Sequence, residues 1–202
     1  MREELLLPAR LEPGRIEAGV DEVGRGCLAG PVCSAAVILP EDFVLPGLTD
    51  SKQLTRRQRE EMDQEIRHRA IAYAIGEASP SEIDRLNILG ATFLAMERAI
   101  TALPLKPEYL LVDGNRFRST LEVPFETIVG GDGRVASIAA ASVLAKVHRD
   151  RLMARLSEEY PGYGWEQNAG YGTRAHLMGI EEKGLTPYHR RSFRPCRKGL
   201  FD

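Results

Sequence analysis

The stretch Ala18-Gly19-Val20-Asp21-Glu22-Val23-Gly24-Arg25-Gly26-Cys27-Leu28-Ala29-Gly30-Pro31-Val32, continuing as an apolar run to Leu39, decides the fold class. Val20 and Val23 mark one short β-type segment, Val32 to Leu39 a second, and the glycines between them supply a hairpin-like connection. Gly24-x-Gly26-x-x-Ala29 also fits the loose dinucleotide-binding pattern G-x-G-x-x-G/A, which would point to an oxidoreductase. That pattern must open a helix, whereas Gly30-Pro31 followed by Val32, Val37 and Ile38 leads into a strand, so the context disfavours it. Asp21 and Glu22 fall where the first strand ends.

Downstream of this hairpin the chain alternates helical and extended patterns. Thr55 and Gln58 form a T-x-x-Q capping box opening a polar helix to about Arg69, followed by a strand-like Ile71 to Ile75. Ser79, Pro80 and Glu82 supply N-cap, N1 and N3 residues for a second helix, in which Ile83, Leu86, Leu89, Phe93, Met96 and Ile100 keep near-helical spacing up to a stop before Pro104. Tyr109 to Val112 reads as a buried strand ending at Asp113-Gly114, and Phe125 to Val129 as another ending at Gly130-Gly131-Asp132-Gly133. Val135 to about Tyr160 contains neither Gly nor Pro, and its first half is apolar nearly all round, as in a buried helix. A loop rich in Gly, Tyr and Trp precedes a short helix around Arg174 to Lys183. This order predicts a single α/β domain.

Composition narrows the function classes. The 202 residues, 43% hydrophobic and 28% charged, suit one ordinary folded domain rather than a disordered, fibrous or coiled-coil chain. No apolar run approaches the roughly 18 residues of a membrane span. The N-terminus is acidic, and its apolar run stops at Pro8, unlike a signal peptide, so a cytoplasmic location is expected. Cys27, Cys33 and Cys196 have no C-x-x-C spacing and are expected to be free thiols. A net charge of −2 gives no overall case for nucleic acid, yet Arg190, Arg191, Arg194, Arg197 and Lys198 crowd the last fifteen residues. Lys146, Arg149, Arg151 and Arg155 form a second basic group on the long helix. No G-x-S-x-G, H-E-x-x-H or P-loop occurs, and the histidines lack metal-ligand spacing; His148, His176 and His189 could each touch phosphate, but a hydrogen-bonded structural role suits any one of them alone better.

The main chemical signal is that three strand-like segments each finish in acid: Asp21 with Glu22, then Asp113, then Asp132. Loops leaving strand ends are where an open α/β sheet builds its sites. Clustered carboxylates would repel one another unless a cation lay between them, and hard divalent cations take oxygen ligands and complete their shell with substrate phosphate. Adjacent residues of a regular strand point to opposite faces, so Asp21 and Glu22 share one site only where the strand ends or distorts.

Taken in order, Ala18-Gly19-Val20-Asp21-Glu22-Val23-Gly24-Arg25-Gly26, Asp50-Ser51-Lys52-Gln53-Leu54, Val112-Asp113-Gly114, Gly131-Asp132, Ser137 to Val147, Gly170-Tyr171-Gly172-Thr173 with His176, and His189-Arg190-Arg191-Ser192-Phe193 resemble the bacterial ribonuclease HII family, the type 2 ribonucleases H. The resemblance covers nearly the whole chain. It implies an RNase H-like fold with a mixed central sheet flanked by helices and a helical C-terminal portion from about residue 161 to 202. It further implies metal-dependent endonuclease action on RNA paired with DNA and 5′ of ribonucleotides embedded in duplex DNA, by two Mn2+ or Mg2+ ions, leaving 5′-phosphate and 3′-hydroxyl ends. By motif position the metal-binding acids would be Asp21, Glu22, Asp113 and Asp132. Gly24, Arg25 and Gly26 would approach the ribose 2′-hydroxyl, Tyr171 would pack on the junction sugar, and Lys52, Lys146 and Arg149 would contact phosphates.

Two departures reduce the expected phosphate contacts: Gly130 stands where the family often has lysine, and Asn168-Ala169 where it often has a basic pair. A shallower salt dependence of binding is expected from them. A non-catalytic nucleic-acid-binding module of the same fold is the alternative. The related ribonuclease HIII usually carries an extra N-terminal domain, and only twenty residues precede Asp21. A monomer is expected. The tail Gly199-Leu200-Phe201 faintly resembles a sliding-clamp-binding ending without its upstream glutamine.

Overall fold

The computed structural model describes residues 6–197, so the tail Gly199-Leu200-Phe201 and Lys198 lie outside the described residues. Strand β1 (Glu17–Val23) pairs antiparallel with β2 (Val32–Ile38), which pairs antiparallel with β3 (Ala72–Ala78). On its other side β1 runs parallel to β4 (Tyr109–Asp113), which is parallel to β5 (Phe125–Ile128). The order β3-β2-β1-β4-β5 is the mixed sheet that the resemblance implies.

Alternation along the strands assigns each face its helix. Ala18 and Val20, opposite Ile38 and Ala36, pack with Leu110 and Val112 against Met96, Ala99 and Ile100 of α2 (Pro80–Thr101). Residues of the opposite parity, Ala35, Val37, Val23 and Ile75, face α3 (Ala136–Glu159) and its Ala139, Ala140, Val143 and Leu144. Helix α1 (Arg56–Arg69) adds Ile66 and Met62 to that same core. Both expected capping boxes form, Thr55 with Gln58 and Ser79 with Glu82, satisfying backbone N–H groups that the first helical turns leave without partners.

Two glycines set how closely the helices lie. A Cβ on Gly19 would stand 2.1 Å from the Ser137 carbonyl carbon, and one on Gly76 2.1 Å from the Ala95 carbonyl oxygen. Both obstacles are helix backbone and cannot rotate away. Gly19→Ala is therefore expected to lower stability by about 1–3 kcal/mol, the usual cost of overpacking. A urea midpoint equal to that of the parent chain would show that α3 sits less tightly than this contact requires.

Two sequence expectations change. Strand β3 continues to Ala78 instead of stopping at Ile75, because Gly76 is the contact point for α2 rather than a terminator. Helix α2 is broken at Asn87, whose φ of 58° is left-handed and whose Oδ1 accepts from the N–H groups of Leu89 and Gly90, capping the second segment. Leu86 and Leu89 accordingly leave the continuous apolar stripe and are half-buried.

The C-terminal portion contains α4 (Trp165–Asn168) and α5 (Arg174–Lys183). It is joined to the sheet by a core in which Tyr163, Trp165, Ile180 and Cys196 pack on Met153 and Leu156 of α3 and on Leu28 and Ala29 of the glycine-rich loop. All three cysteines are free and buried.

Candidate active site

Because β1 and β4 are parallel neighbours, Asp21 and Asp113 leave the sheet at the same end. Register and alternation put both on the α3 face, since Val112, one residue before Asp113, lies with Val20 on the α2 face. Asp132 arrives from a short 3₁₀ turn, Gly131–Gly133, after β5. The Gly131 N–H donates to Asp113 Oδ1 at 2.8 Å, so the third acid is fastened to the second by its own loop. One carboxylate oxygen from each of Asp21, Asp113 and Asp132 lies within 4.8 Å of the others.

Glu22 behaves as strand alternation requires. The strand runs on to Val23, so Glu22 points to the α2 face, where it receives Arg25 Nη1 at 3.1 Å. It meets Asp113 across a cavity of about 340 Å³ lined also by Arg25, Asn115 and Arg116. The structure thus brings three acids into one group and places the fourth beside it.

The electrostatics show what this arrangement lacks. Burial, with Glu22 and Asp113 adding repulsion, holds the Asp21 carboxyl well above its ordinary range. Burial, Asp113 and Asp50 push Asp132 up to about 6. Glu22 is raised by burial, with Arg25 opposing and Asp113 adding. Lys52 is the nearby cation, but its Nζ is 4.0 Å from Asp132 and 3.6 Å from Asp50 on a mostly exposed side chain, so it screens the group weakly. Converging, all-oxygen, under-neutralised donors suit a hard divalent cation.

Protons and a cation then compete for the same oxygens. Raised carboxyl values mean that the folded, metal-free chain holds more protons than the unfolded chain between about pH 4 and 6, so this group's contribution to stability falls as pH rises through that window. His189, lowered to about 4 mainly by burial, acts with the opposite sign and hides the trend in a simple pH scan. The difference between magnesium-loaded and chelator-treated protein removes the histidine contribution. Added stability from magnesium is expected to be near zero at pH 5 and on the order of 2–3 kcal/mol at pH 8, with the ion at about 100 times its Kd. Thermal melts showing equal magnesium stabilisation at both pH values would count against the carboxylates as its ligands.

Beside the acids, the glycine-rich loop and Tyr171 meet. Tyr171 Cε1 lies 3.9 Å from the Cβ position of Gly26, and the residue is 44% exposed. Its backbone is held by a chain of neutral histidines: His189 Nδ1 accepts from Thr186 N, His189 Nε2 donates to His176 Nε2, and His176 Nδ1 donates to the Tyr171 carbonyl. Trp165 Nε1 also donates to His176 Nε2, and these bonds together fix the tautomers. The structural reading of His176 and His189 therefore holds.

The phosphate-contact expectation for Arg149 does not. Its side chain is wholly buried, and it donates to the carbonyls of Pro31, Ala29 and Ala169 at 2.7–3.0 Å, tying α3 to the hairpin loop and to the C-terminal portion. A guanidinium satisfies three converging carbonyls where a lysine could not, which is why this basic residue lies in the interior. Lys146 is bound to Asp150 at 2.6 Å and lines a separate small cleft with Arg56 and Arg59. Sequence reading missed Arg190: it too is fully buried and grips the carbonyls of Gly24, Arg25 and Gly30. Its place in a run of surface-type arginines carried no signal of that.

Comparison with known proteins agrees with this geometry. The model of the family described as Ribonuclease HII matches residues 18–196, spanning every element of the sheet and site. The chain belongs to the ribonuclease HII family. Among its relatives, the ribonuclease HII of Parabacteroides distasonis is 56% identical over 189 residues, covering 94% of each chain. The solved ribonuclease H2 of Pyrococcus horikoshii superposes with a TM-score of 0.76 at 28% identity, covering 90% of this chain and 95% of that one. Bst-RNase HIII in complex with Mn2+, 20% identical with a TM-score of 0.69 over 90% of this chain and 68% of that one, shares the fold. Membership makes this chain a ribonuclease H, a divalent-metal-dependent endonuclease acting on RNA in RNA–DNA hybrids. Among the described residues no helix is long and apolar enough to cross a membrane.

Proposed function

We propose that this ribonuclease HII cuts the RNA strand of hybrids and the 5′ side of single ribonucleotides in duplex DNA, with Asp21, Glu22, Asp113 and Asp132 holding two divalent ions and the products ending in 5′-phosphate and 3′-hydroxyl. The observation that carries the reading is the meeting, at one sheet end, of three under-neutralised acids with an exposed tyrosine over a glycine-rich loop. Bound ions would supply Lewis acidity and an activated water for in-line displacement. The chain itself supplies position. Gly131 N–H fixes Asp113, Arg25 restrains Glu22, and Lys52 stands at the rim within reach of a phosphate.

Recognition of the ribose follows from how the loop is held. Arg190 draws the Gly24 and Arg25 carbonyls inward, and the described peptide bonds are all trans, so the N–H groups of Arg25 and Gly26 point the other way. Outward N–H groups on a loop where Gly24 and Gly26 carry no side chain, and where Arg25 is drawn off to Glu22, suit a sugar hydroxyl, and the 2′-hydroxyl is what distinguishes RNA from DNA. Tyr171 stands where the following sugar would pack.

End-labelled duplex DNA containing one ribonucleotide, beside an all-DNA control, with magnesium, manganese or chelator, tests this. Metal-dependent cutting 5′ of the ribonucleotide with the control intact is expected. Folded protein that binds the duplex but never cuts would favour the non-catalytic alternative, and cutting of the all-DNA control would remove the junction role of Gly24 to Gly26 and Tyr171.

A further inference from the structure

A second group of metal-ligating side chains lies on the α3 face of the sheet and shares no residue with the carboxylate site. Cys33 on β2 pairs directly with Glu77 on β3, so the two side chains leave the same face side by side. His148 comes down on them from α3, with Nε2 2.5 Å from Glu77 Oε1. Cys33 Sγ, a Glu77 carboxylate oxygen and a His148 ring nitrogen all lie within 4.8 Å of one another.

We propose that Cys33, Glu77 and His148 form a site for a zinc-type divalent cation, clamping β2, β3 and α3 together with a fourth position left to water.

The donor set decides the class of ion. A thiolate and an imidazole select a borderline-soft cation, while magnesium prefers oxygen throughout. With bonds of roughly 2.0–2.3 Å, tetrahedral ligand atoms stand roughly 3.3–3.7 Å apart, so His148 and Glu77 part by about 1 Å while Cys33 Sγ, within 4.8 Å of both, closes on the centre by up to a similar amount. Access is one-sided: Cys33 is wholly buried, whereas the His148 and Glu77 side chains are 29% and 42% exposed. Charge balances as well. Thiolate and carboxylate together neutralise a divalent ion, so the loaded site adds no net charge beside the nearby cations, Arg149 and Arg190 by Cys33 and Arg155 by Glu77. An ion pair between His148 and Glu77 accounts for two of the three groups but gives the thiol no role. Burial pushes that thiol up to about 12, so cation binding must displace its proton to the buffer.

Cobalt(II) titration of the full chain in excess magnesium tests the site, since magnesium occupies the carboxylate group and a thiolate ligand to cobalt gives a near-ultraviolet charge-transfer band. One equivalent of cobalt should raise the band, zinc should abolish it, and Cys196→Ser should retain it. Cys33→Ser should lose it. His148→Gln, at a partly exposed position that leaves folding intact, should weaken cobalt binding at least about tenfold. Absence of the band in folded parent protein, or its persistence in Cys33→Ser, would overturn the proposal.

Discussion

Asp113→Asn should fold, bind hybrid duplex as tightly as the parent chain, and cut it roughly 10³-fold more slowly, the loss expected when several kcal/mol of metal-borne charge stabilisation disappear. Asp113 is chosen because it is the common neighbour: its charge helps to raise Asp21, Glu22 and Asp132 alike. The substitution keeps the shape and also the anchor, since an asparagine Oδ1 can still accept from Gly131 N–H, which the aspartate receives at 2.8 Å. What it removes is one negative charge from a group that already lacks cations. The chelated variant should therefore melt at a higher temperature than the chelated parent, while magnesium should stabilise it less. Single-turnover cleavage, duplex binding by anisotropy and paired melts separate these effects. Activity within about tenfold of the parent would remove Asp113 from the metal site. A lower melting temperature in chelator would instead show that repulsion among the acids is not what destabilises the metal-free site.

Much of this site is legible because its acids sit at strand ends. Val20 before Asp21, Leu111-Val112 before Asp113, and Ile128-Val129 before the Asp132 turn each announce a strand with a carboxylate at or near its end, although β1 runs two residues past Asp21, and parallel pairing of β1, β4 and β5 does the rest. Even the separation of Glu22 from Asp21 follows from the period of two. Helix starts are equally legible, since Thr55-x-x-Gln58 and Ser79-x-x-Glu82 are local chemistry. The failures share one cause, which is that the deciding partner is distant in sequence. Asn87 resembles any polar helical residue until its left-handed backbone is seen. Gly76 resembles a strand breaker until the Ala95 carbonyl is found against it. Arg149 resembles a phosphate contact and Arg190 one more member of a basic run, and nothing local says that each meets three carbonyls from the hairpin loop or the C-terminal portion.

The second large effect belongs to Arg190, where stability and ribose recognition are joined. Its Nε donates to Gly30 O at 3.0 Å, Nη1 to Arg25 O at 2.9 Å and Nη2 to Gly24 O at 2.6 Å, all from a fully buried side chain. Burial lowers the guanidinium to about 10, so it remains charged at neutral pH. Arg190→Met keeps the bulk but leaves those carbonyls without donors. At roughly 1–3 kcal/mol for each buried unsatisfied group, the expected loss is at least about 3 kcal/mol, much of the stability of an ordinary domain. Arg190→Lys is the informative variant, because one ammonium keeps the charge but cannot span the same fork. It should lose about 1–2 kcal/mol by urea denaturation. Released carbonyls let the Gly24 and Arg25 peptides rotate, so the N–H groups of Arg25 and Gly26 no longer hold one direction. Cutting at a single embedded ribonucleotide, where only one 2′-hydroxyl is offered, should then fall further than cutting of a continuous hybrid. A purely structural arginine would lower both rates in proportion to the folded fraction. Equal losses on the two substrates at a temperature where Arg190→Lys is fully folded would restrict Arg190 to holding the loop closed, and would leave the ribose contact to Tyr171.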